Sequence, residues 1–181
     1  MVALRTAILI AWAVFWVYWL IAATGARQGS RSMRARPPGL IIIVLAVVLV
    51  RVFRGSDSLA ITSPALAAAG TFLFVAGLAV AVWARLHLGR NWGMPMTAKD
   101  EPELVTSGPY RLIRHPIYSG ILLGLVGTAL ATNLYWLIIA AVMGVYFLYS
   151  AKVEEGLMTA AFPSVYPGYR ARTKMLIPFV L

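Results

Sequence analysis

The feature that most constrains this chain is a succession of long apolar runs separated by short, arginine-rich or proline-rich breaks. About 20 consecutive apolar residues cross the roughly 30 Å hydrocarbon core of a bilayer as a helix. In lipid a helix is required, because an open strand leaves backbone N–H and C=O groups without partners. The runs cover about 4–24, 40–53, 64–88, 116–131 and 134–151. They predict an all-α, integral membrane bundle of about five transmembrane helices in one domain spanning residues 1–181. Composition supports this: 61% of the residues are hydrophobic, 12% are charged and mean hydropathy is +0.81, against about a quarter charged in a soluble domain.

Each break has a physical reading. The first run carries Trp12, Trp16, Tyr18 and Trp19 and is followed by Arg27, Arg31, Arg34 and Arg36. It is too long and too aromatic for a cleaved signal peptide, and the four arginines read as a cytoplasmic stop. Pro37-Pro38-Gly39 precedes the short second run, and Pro64 fits the first turn of the third helix, where its missing N–H costs nothing. Thr132-Asn133 is a charge-free reversal that makes the last two spans an antiparallel hairpin. With the N-terminus outside, thirteen of the sixteen Lys and Arg residues fall on the cytoplasmic side, the sense that the positive-inside rule requires.

The net charge of +10 comes mostly from arginines at the ends of apolar runs, so it reads as membrane-flanking charge and not as a nucleic-acid surface. Cysteine is absent, which excludes disulfides, thiolate metal sites and a cysteine nucleophile.

Polar chemistry concentrates in two segments, about 86–118 and 152–178. The first contains Leu88-Gly89-Arg90-Asn91-Trp92, then Glu103-Leu104-Val105-Thr106-Ser107-Gly108-Pro109-Tyr110-Arg111, then Arg114-His115-Pro116-Ile117-Tyr118-Ser119-Gly120. Tyr110, Arg111, Arg114, His115 and Tyr118 crowd into nine residues beside an apolar span, which is costly unless they meet a ligand or one another. The second begins with Glu154-Glu155, expected at the end of the fifth span, where the helix dipole disfavours carboxylates and so implies a partner. The basic, aromatic tail with Tyr166, Tyr169, Arg170, Arg172 and Lys174 reads by composition as an interfacial anchor.

These motifs, in this order and followed by Phe162, Tyr166, Tyr169 and Pro178, resemble the isoprenylcysteine carboxyl methyltransferase family, with related membrane phospholipid N-methyltransferases similar over the same half. The resemblance covers about 86–178 and does not reach the first two spans. It implies a membrane methyltransferase that uses S-adenosyl-L-methionine in a cytoplasm-facing pocket and a lipid-like, isoprenoid or prenylcysteine-like acceptor, a carboxylate, drawn from the bilayer. Carried over, cofactor contacts fall on Leu104, Val105, Tyr110, His115, Pro116, Ile117, Tyr118 and Glu154, and Arg114, His115 and Glu155 are the candidate catalytic residues. Two positions depart from the family pattern: Pro102 replaces a histidine before the Leu-Val pair, and Ser150 replaces an arginine one turn before the glutamates.

The residues agree with that chemistry on their own terms. A sulfonium beside an adenosine and an amino-acid group calls for a carboxylate, aromatic faces and donors. Glu154, Tyr110 or Tyr118, and Arg114 or His115 supply them. His115, if neutral, or Glu155 would serve as a base for an amine or alcohol acceptor, whereas a carboxylate acceptor needs none. The competing readings are a nicotinamide-dependent membrane reductase of the sterol type, which shares a His-Pro-x-Tyr motif, and a non-catalytic membrane scaffold.

Overall fold

The computed structural model describes residues 2–23, 29–31, 59–93, 96–99 and 102–178. Helix α1 spans Val2–Ala23, α2 Pro64–Leu88, α3 Pro116–Ala131, α4 Trp136–Ala161 and the short α5 Tyr166–Arg172. Helices α1, α2 and α4 are long and apolar enough to cross a membrane, and α3 is a shorter apolar helix. The expected second span, 40–53, lies outside the described residues. The helical membrane bundle expected from the apolar runs is therefore present. One short antiparallel ribbon joins it, β1 (Gly29–Arg31) on β2 (Thr97–Lys99), with Gly29 opposite Lys99.

Local signals set the helix ends. Ser63 accepts a hydrogen bond from the Leu66 amide at 3.4 Å and Pro64 opens α2, an N-cap followed by proline at the first helical position. Helix α4 ends at Phe162, pushed out of helical geometry by Pro163. The fifth span expected to end near 151 and the short helix expected over 156–161, running toward Phe162-Pro163, are thus one continuous helix. Glu154 and Glu155 sit in its interior, not at its end, so the unfavourable dipole expected there does not apply. Their partners, described below, have a different cause.

Helix α3 is the centre of the bundle and packs on α1, α2 and α4. Its 16 residues rise about 24 Å, and Thr128, Ala129 and Ala131 are fully buried. The close fit of α2 on α3 depends on glycine. A Cβ at Gly77 would lie 2.4 Å from the Gly124 amide nitrogen, and one at Gly127 would lie 2.3 Å from that of Phe74. Small residues that let two backbones approach are the usual means of helix association in lipid, where apolar side chains gain little by leaving hydrocarbon. Helix α1 adds Ile8, Trp12, Phe15 and Trp19 on one face, and Trp12 Nε1 donates to Thr128 Oγ1 at 3.0 Å. Its other face, with Leu9, Val14, Val17 and Leu20, is exposed, as a lipid-facing surface must be.

The two ends of the bundle differ. At one end Ile61 donates to the Thr132 carbonyl and Leu134 to that of Leu59, tying the start of α2 to the α3–α4 turn. At the other, Arg85 reaches the Ala22 carbonyl at 2.6 Å and the Gly89 carbonyl at 2.7 Å, and its guanidinium lies 4.7 Å above the Trp92 ring. The end of α1, the end of α2, the start of α3 and the glutamates of α4 gather there. If backbone contact at the α2–α3 seam holds the bundle, Gly77→Val or Gly127→Val will cost about 1–3 kcal/mol through overpacking. A thermal midpoint in detergent matching the unsubstituted protein would contradict this.

Candidate active site

The site forms where a tight loop, the start of α3, the interior of α4 and the tail converge. Gly108 has φ +57°, a conformation that favours glycine. It opens a 3-10 turn, Gly108–Arg111, that buries Tyr110. The Tyr110 hydroxyl donates to the Ala84 carbonyl at 3.3 Å, and the Tyr110 carbonyl accepts from the Tyr169 hydroxyl at 2.7 Å. The tail runs alongside the entry to α3: Arg114 N–H donates to the Lys174 carbonyl at 2.8 Å, and His115 N–H to that of Met175 at 3.1 Å. The backbone of the Arg114-His115 pair is thereby fixed from outside its own segment.

Side chains complete the arrangement. Arg114 Nε donates to Glu155 Oε1 at 2.6 Å, while Arg114 Nη1 reaches the Arg170 and Thr173 carbonyls. Glu155, 3% exposed, also faces Arg170 Nε at 3.3 Å through Oε2. Glu154 Oε1 accepts from the Tyr118 hydroxyl and from the Met96 amide at 3.0 Å. His115 lies between the two carboxylates, with Nδ1 3.4 Å from Glu154 Oε2 and Nε2 3.5 Å from Glu155 Oε1. Its ring stacks on Tyr118 at 5.5 Å, and Tyr118 stacks on Phe147 at 4.4 Å.

Burial resists protonation of His115, yet the two glutamates outweigh it and hold the pKa above the ordinary histidine value. The neutral ring that a base requires is thus less available than in an ordinary histidine. Burial pushes the Tyr110 and Tyr166 phenols far up, and that of Tyr169 to about 12. All three are neutral donors at physiological pH.

A cavity of about 810 Å³ opens beside this cluster, within the roughly 300–1,000 Å³ range of small-molecule sites. Leu104, Val105, Tyr110, His115, Ile117, Tyr118 and Glu154 all line it, as does Arg114. Of the expected cofactor contacts Pro116 alone does not line the cavity; it is fully buried behind it. Glu155 does not line it either and is enclosed by Arg114, His115 and Arg170. At the two departures from the family pattern, Pro102 lines the cavity, whereas Ser150 is fully buried and donates to the Tyr146 carbonyl.

Several lining residues escaped the reading of the sequence. Tyr166 and Tyr169, expected in an interfacial anchor, are buried and line the cavity; their three-residue spacing places both on the inner face of α5. Trp16 and Trp19 come from α1, beyond the reach of any motif, and Tyr146 and Phe147 come from the apolar part of α4. Asn91 is buried, donates to Glu103 Oε2 at 2.6 Å, and has no hydrogen-bond partner for its own Oδ1 among the described residues.

The donor set suits a cofactor with a sulfonium and an adenosine. A carboxylate with a quarter of its side chain exposed, Glu154, stands on a wall of aromatic faces, and the cavity has room for a nucleoside. The sequence pattern of the phospholipid methyltransferase family matches residues 66–164, more than half of the chain. The chain belongs to the phospholipid methyltransferase family. Proteins to which the chain is similar include isoprenylcysteine methyltransferases, the family that the motifs resemble. The chain is 33% identical over 84 residues to protein-S-isoprenylcysteine O-methyltransferase B of Arabidopsis thaliana, which covers 45% of this chain and 43% of that protein. A probable protein-S-isoprenylcysteine O-methyltransferase of Oryza sativa subsp. indica shows the same identity over 45% and 44%. The cobalt-zinc-cadmium resistance protein CzcN of Cupriavidus metallidurans is 35% identical over 96 residues, 50% of this chain and 43% of that protein. The chain thus spans less than half the length of these relatives. The family match takes in α2 to α4, the helices that carry the cavity's polar wall, and assigns an integral membrane protein.

The raised pKa of His115 has a consequence for stability. Because the folded value exceeds the unfolded value of about 6.5, the stabilisation is fully present below that pH and is lost as pH rises through the folded value. The thermal midpoint in detergent will therefore fall as pH is raised above about 6.5, and His115→Gln will flatten this dependence. An identical slope in the variant would show that His115 does not carry it.

Proposed function

We propose that this protein is an S-adenosyl-L-methionine-dependent membrane methyltransferase acting on a lipid-like acceptor, with its N-terminus outside and its site facing the cytoplasm. The observation that carries the reading is the convergence on one cavity of Leu104, Val105, Tyr110, His115, Ile117, Tyr118 and Glu154, in a chain of the phospholipid methyltransferase family. Six of them come from the single stretch 104–118, and Glu154 joins them from the interior of α4.

The cofactor supplies an electrophilic methyl group on a sulfonium. The chain's residues bind, orient and exclude water, which is most of what a direct displacement asks of an enzyme. Glu154, held by Tyr118, His115 and the Met96 amide, presents a fixed carboxylate to hydroxyl and ammonium donors. The Tyr110 and Tyr118 rings provide faces for a cation. Trp16, Trp19, Ile121, Met143 and Phe147 make the apolar part of the wall, suited to an isoprenoid or acyl chain.

A carboxylate acceptor, the class that the resemblance implies, requires no base. That suits a wall whose histidine is biased towards its charged form and whose second glutamate is enclosed by three cationic or donor groups. Arg114 accordingly acts in this proposal by holding Glu155 and the tail, not by touching the reacting atoms.

S-adenosylhomocysteine binding by calorimetry in detergent tests the reading. Glu154→Gln and Tyr118→Phe are each expected to weaken it about tenfold, the loss of one buried, charge-assisted hydrogen bond, with the thermal midpoint showing that both variants stay folded. Unchanged affinity in both, or stabilisation of the unsubstituted protein by NADPH in place of S-adenosylhomocysteine, would overturn it.

A further inference from the structure

A second pocket of about 290 Å³ opens beside α4, lined by Lys152, Glu155, Gly156, Thr159, Arg170 and Met175. Glu155 and its partner Arg170 are shared with the cluster already described, and neither lines the larger cavity. Residues 152, 155, 156 and 159 fall on one face of α4. Arg170 of α5 and Met175 of the tail form the opposite wall.

Three features point to an anion. The pocket is basic: Lys152 and Arg170 are exposed, and the charge of Glu155 is already matched by Arg114 at 2.6 Å. Lys152 makes no ion pair among the described residues, and Arg170 meets Glu155 through Nε, leaving the outer edge of its guanidinium for another acceptor. The floor is open as well. A Cβ at Gly156 would meet nothing within 4 Å, so the glycine leaves a space beside the two cations where a larger residue would fill it.

Position selects the anion's source. Lys152 follows the buried Ala151 at the end of the apolar part of α4, the level at which a helix leaves the hydrocarbon and meets lipid phosphates. Basic pockets between helices at that level recognise anionic head groups. We propose that the Lys152–Gly156–Arg170 pocket binds the phosphate of an anionic phospholipid head group. Lys152 and Arg170 contact the phosphate from opposite walls, and Gly156 provides its space. The site does not depend on methyl transfer and stands or falls separately from it.

The test uses the full chain in mixed micelles of a neutral detergent with phosphatidylglycerol or phosphatidylcholine, and the apparent affinity is read from lipid-dependent thermal stabilisation. The unsubstituted protein is expected to prefer phosphatidylglycerol about fivefold or more, the order contributed by one basic residue near a lipid phosphate. Lys152→Ser removes a cation and Gly156→Leu fills the pocket without changing charge; each is expected to abolish the preference. Arg172→Ser, which removes an exposed charge outside the pocket, is expected to retain it. Equal losses in Lys152→Ser and Arg172→Ser would mean diffuse attraction and overturn the site, as would a preference surviving Gly156→Leu. Stabilisation by inorganic phosphate alone to the same extent would overturn the lipid assignment. Should Gly156→Leu fail to fold, the contrast between Lys152→Ser and Arg172→Ser decides.

Discussion

The pairing of Arg114 with Glu155 is the interaction on which the polar half of the molecule depends. It joins three pieces of chain at one point: the loop before α3, the interior of α4, and the tail, through the Arg170 and Thr173 carbonyls. Both side chains are nearly enclosed, at 8% and 4% exposed. Removing one partner of such a pair strands the other charge in a low-dielectric setting, a loss of about 3–5 kcal/mol. The surrounding polar groups fit around this pair. Arg170 takes the second Glu155 oxygen, His115 sits between Glu155 and Glu154, and Glu154 in turn collects Tyr118 and the Met96 amide.

The apolar half makes that arrangement possible by a different means. Glycines at the α2–α3 seam bring two backbones into contact, so α3 is nearly surrounded and needs fewer residues than its neighbours. Its start is thereby fixed in depth against the ends of α1 and α2. The Arg85 clamp on the Ala22 and Gly89 carbonyls sets the same level from the other side. The seam and the clamp together hold the start of α3, and with it His115 and Tyr118, in place, as a preorganised site requires.

Much of this was legible in the sequence because membrane physics leaves few choices. An apolar run of the length of Pro64–Leu88 has only the helix available to it, and the proline at its start and the turn at Thr132-Asn133 fix boundaries within a residue or two. The motif segments were legible as well, since Tyr110 through Tyr118 is too polar for its surroundings. Distance in space was not legible. Nothing local told that Tyr166 and Tyr169 turn inward, because an amphipathic aromatic serves equally well at an interface or in a wall. Trp16 and Trp19 looked like any membrane-span tryptophans. Helix on both sides of the glutamate pair is legible, but its continuity is not, because Glu154 and Glu155 have their partners on neighbouring segments and so leave the helix unbroken to Ala161.

That last point explains how carboxylates come to lie inside a membrane-protein helix at all. A glutamate in the interior of α4 gains nothing from the helix dipole, whose effect is confined to the terminal turns, and burial disfavours its charge. Its polar partners come from outside the helix: Arg114 on the loop, Arg170 on α5 and His115 for Glu155, and Tyr118 and a backbone amide for Glu154. The two neighbours therefore divide their roles by environment, not by identity. Glu155 is saturated and buried, and it holds the segments together. Glu154 keeps a quarter of its side chain open to the cavity, so it is the carboxylate placed to meet a ligand.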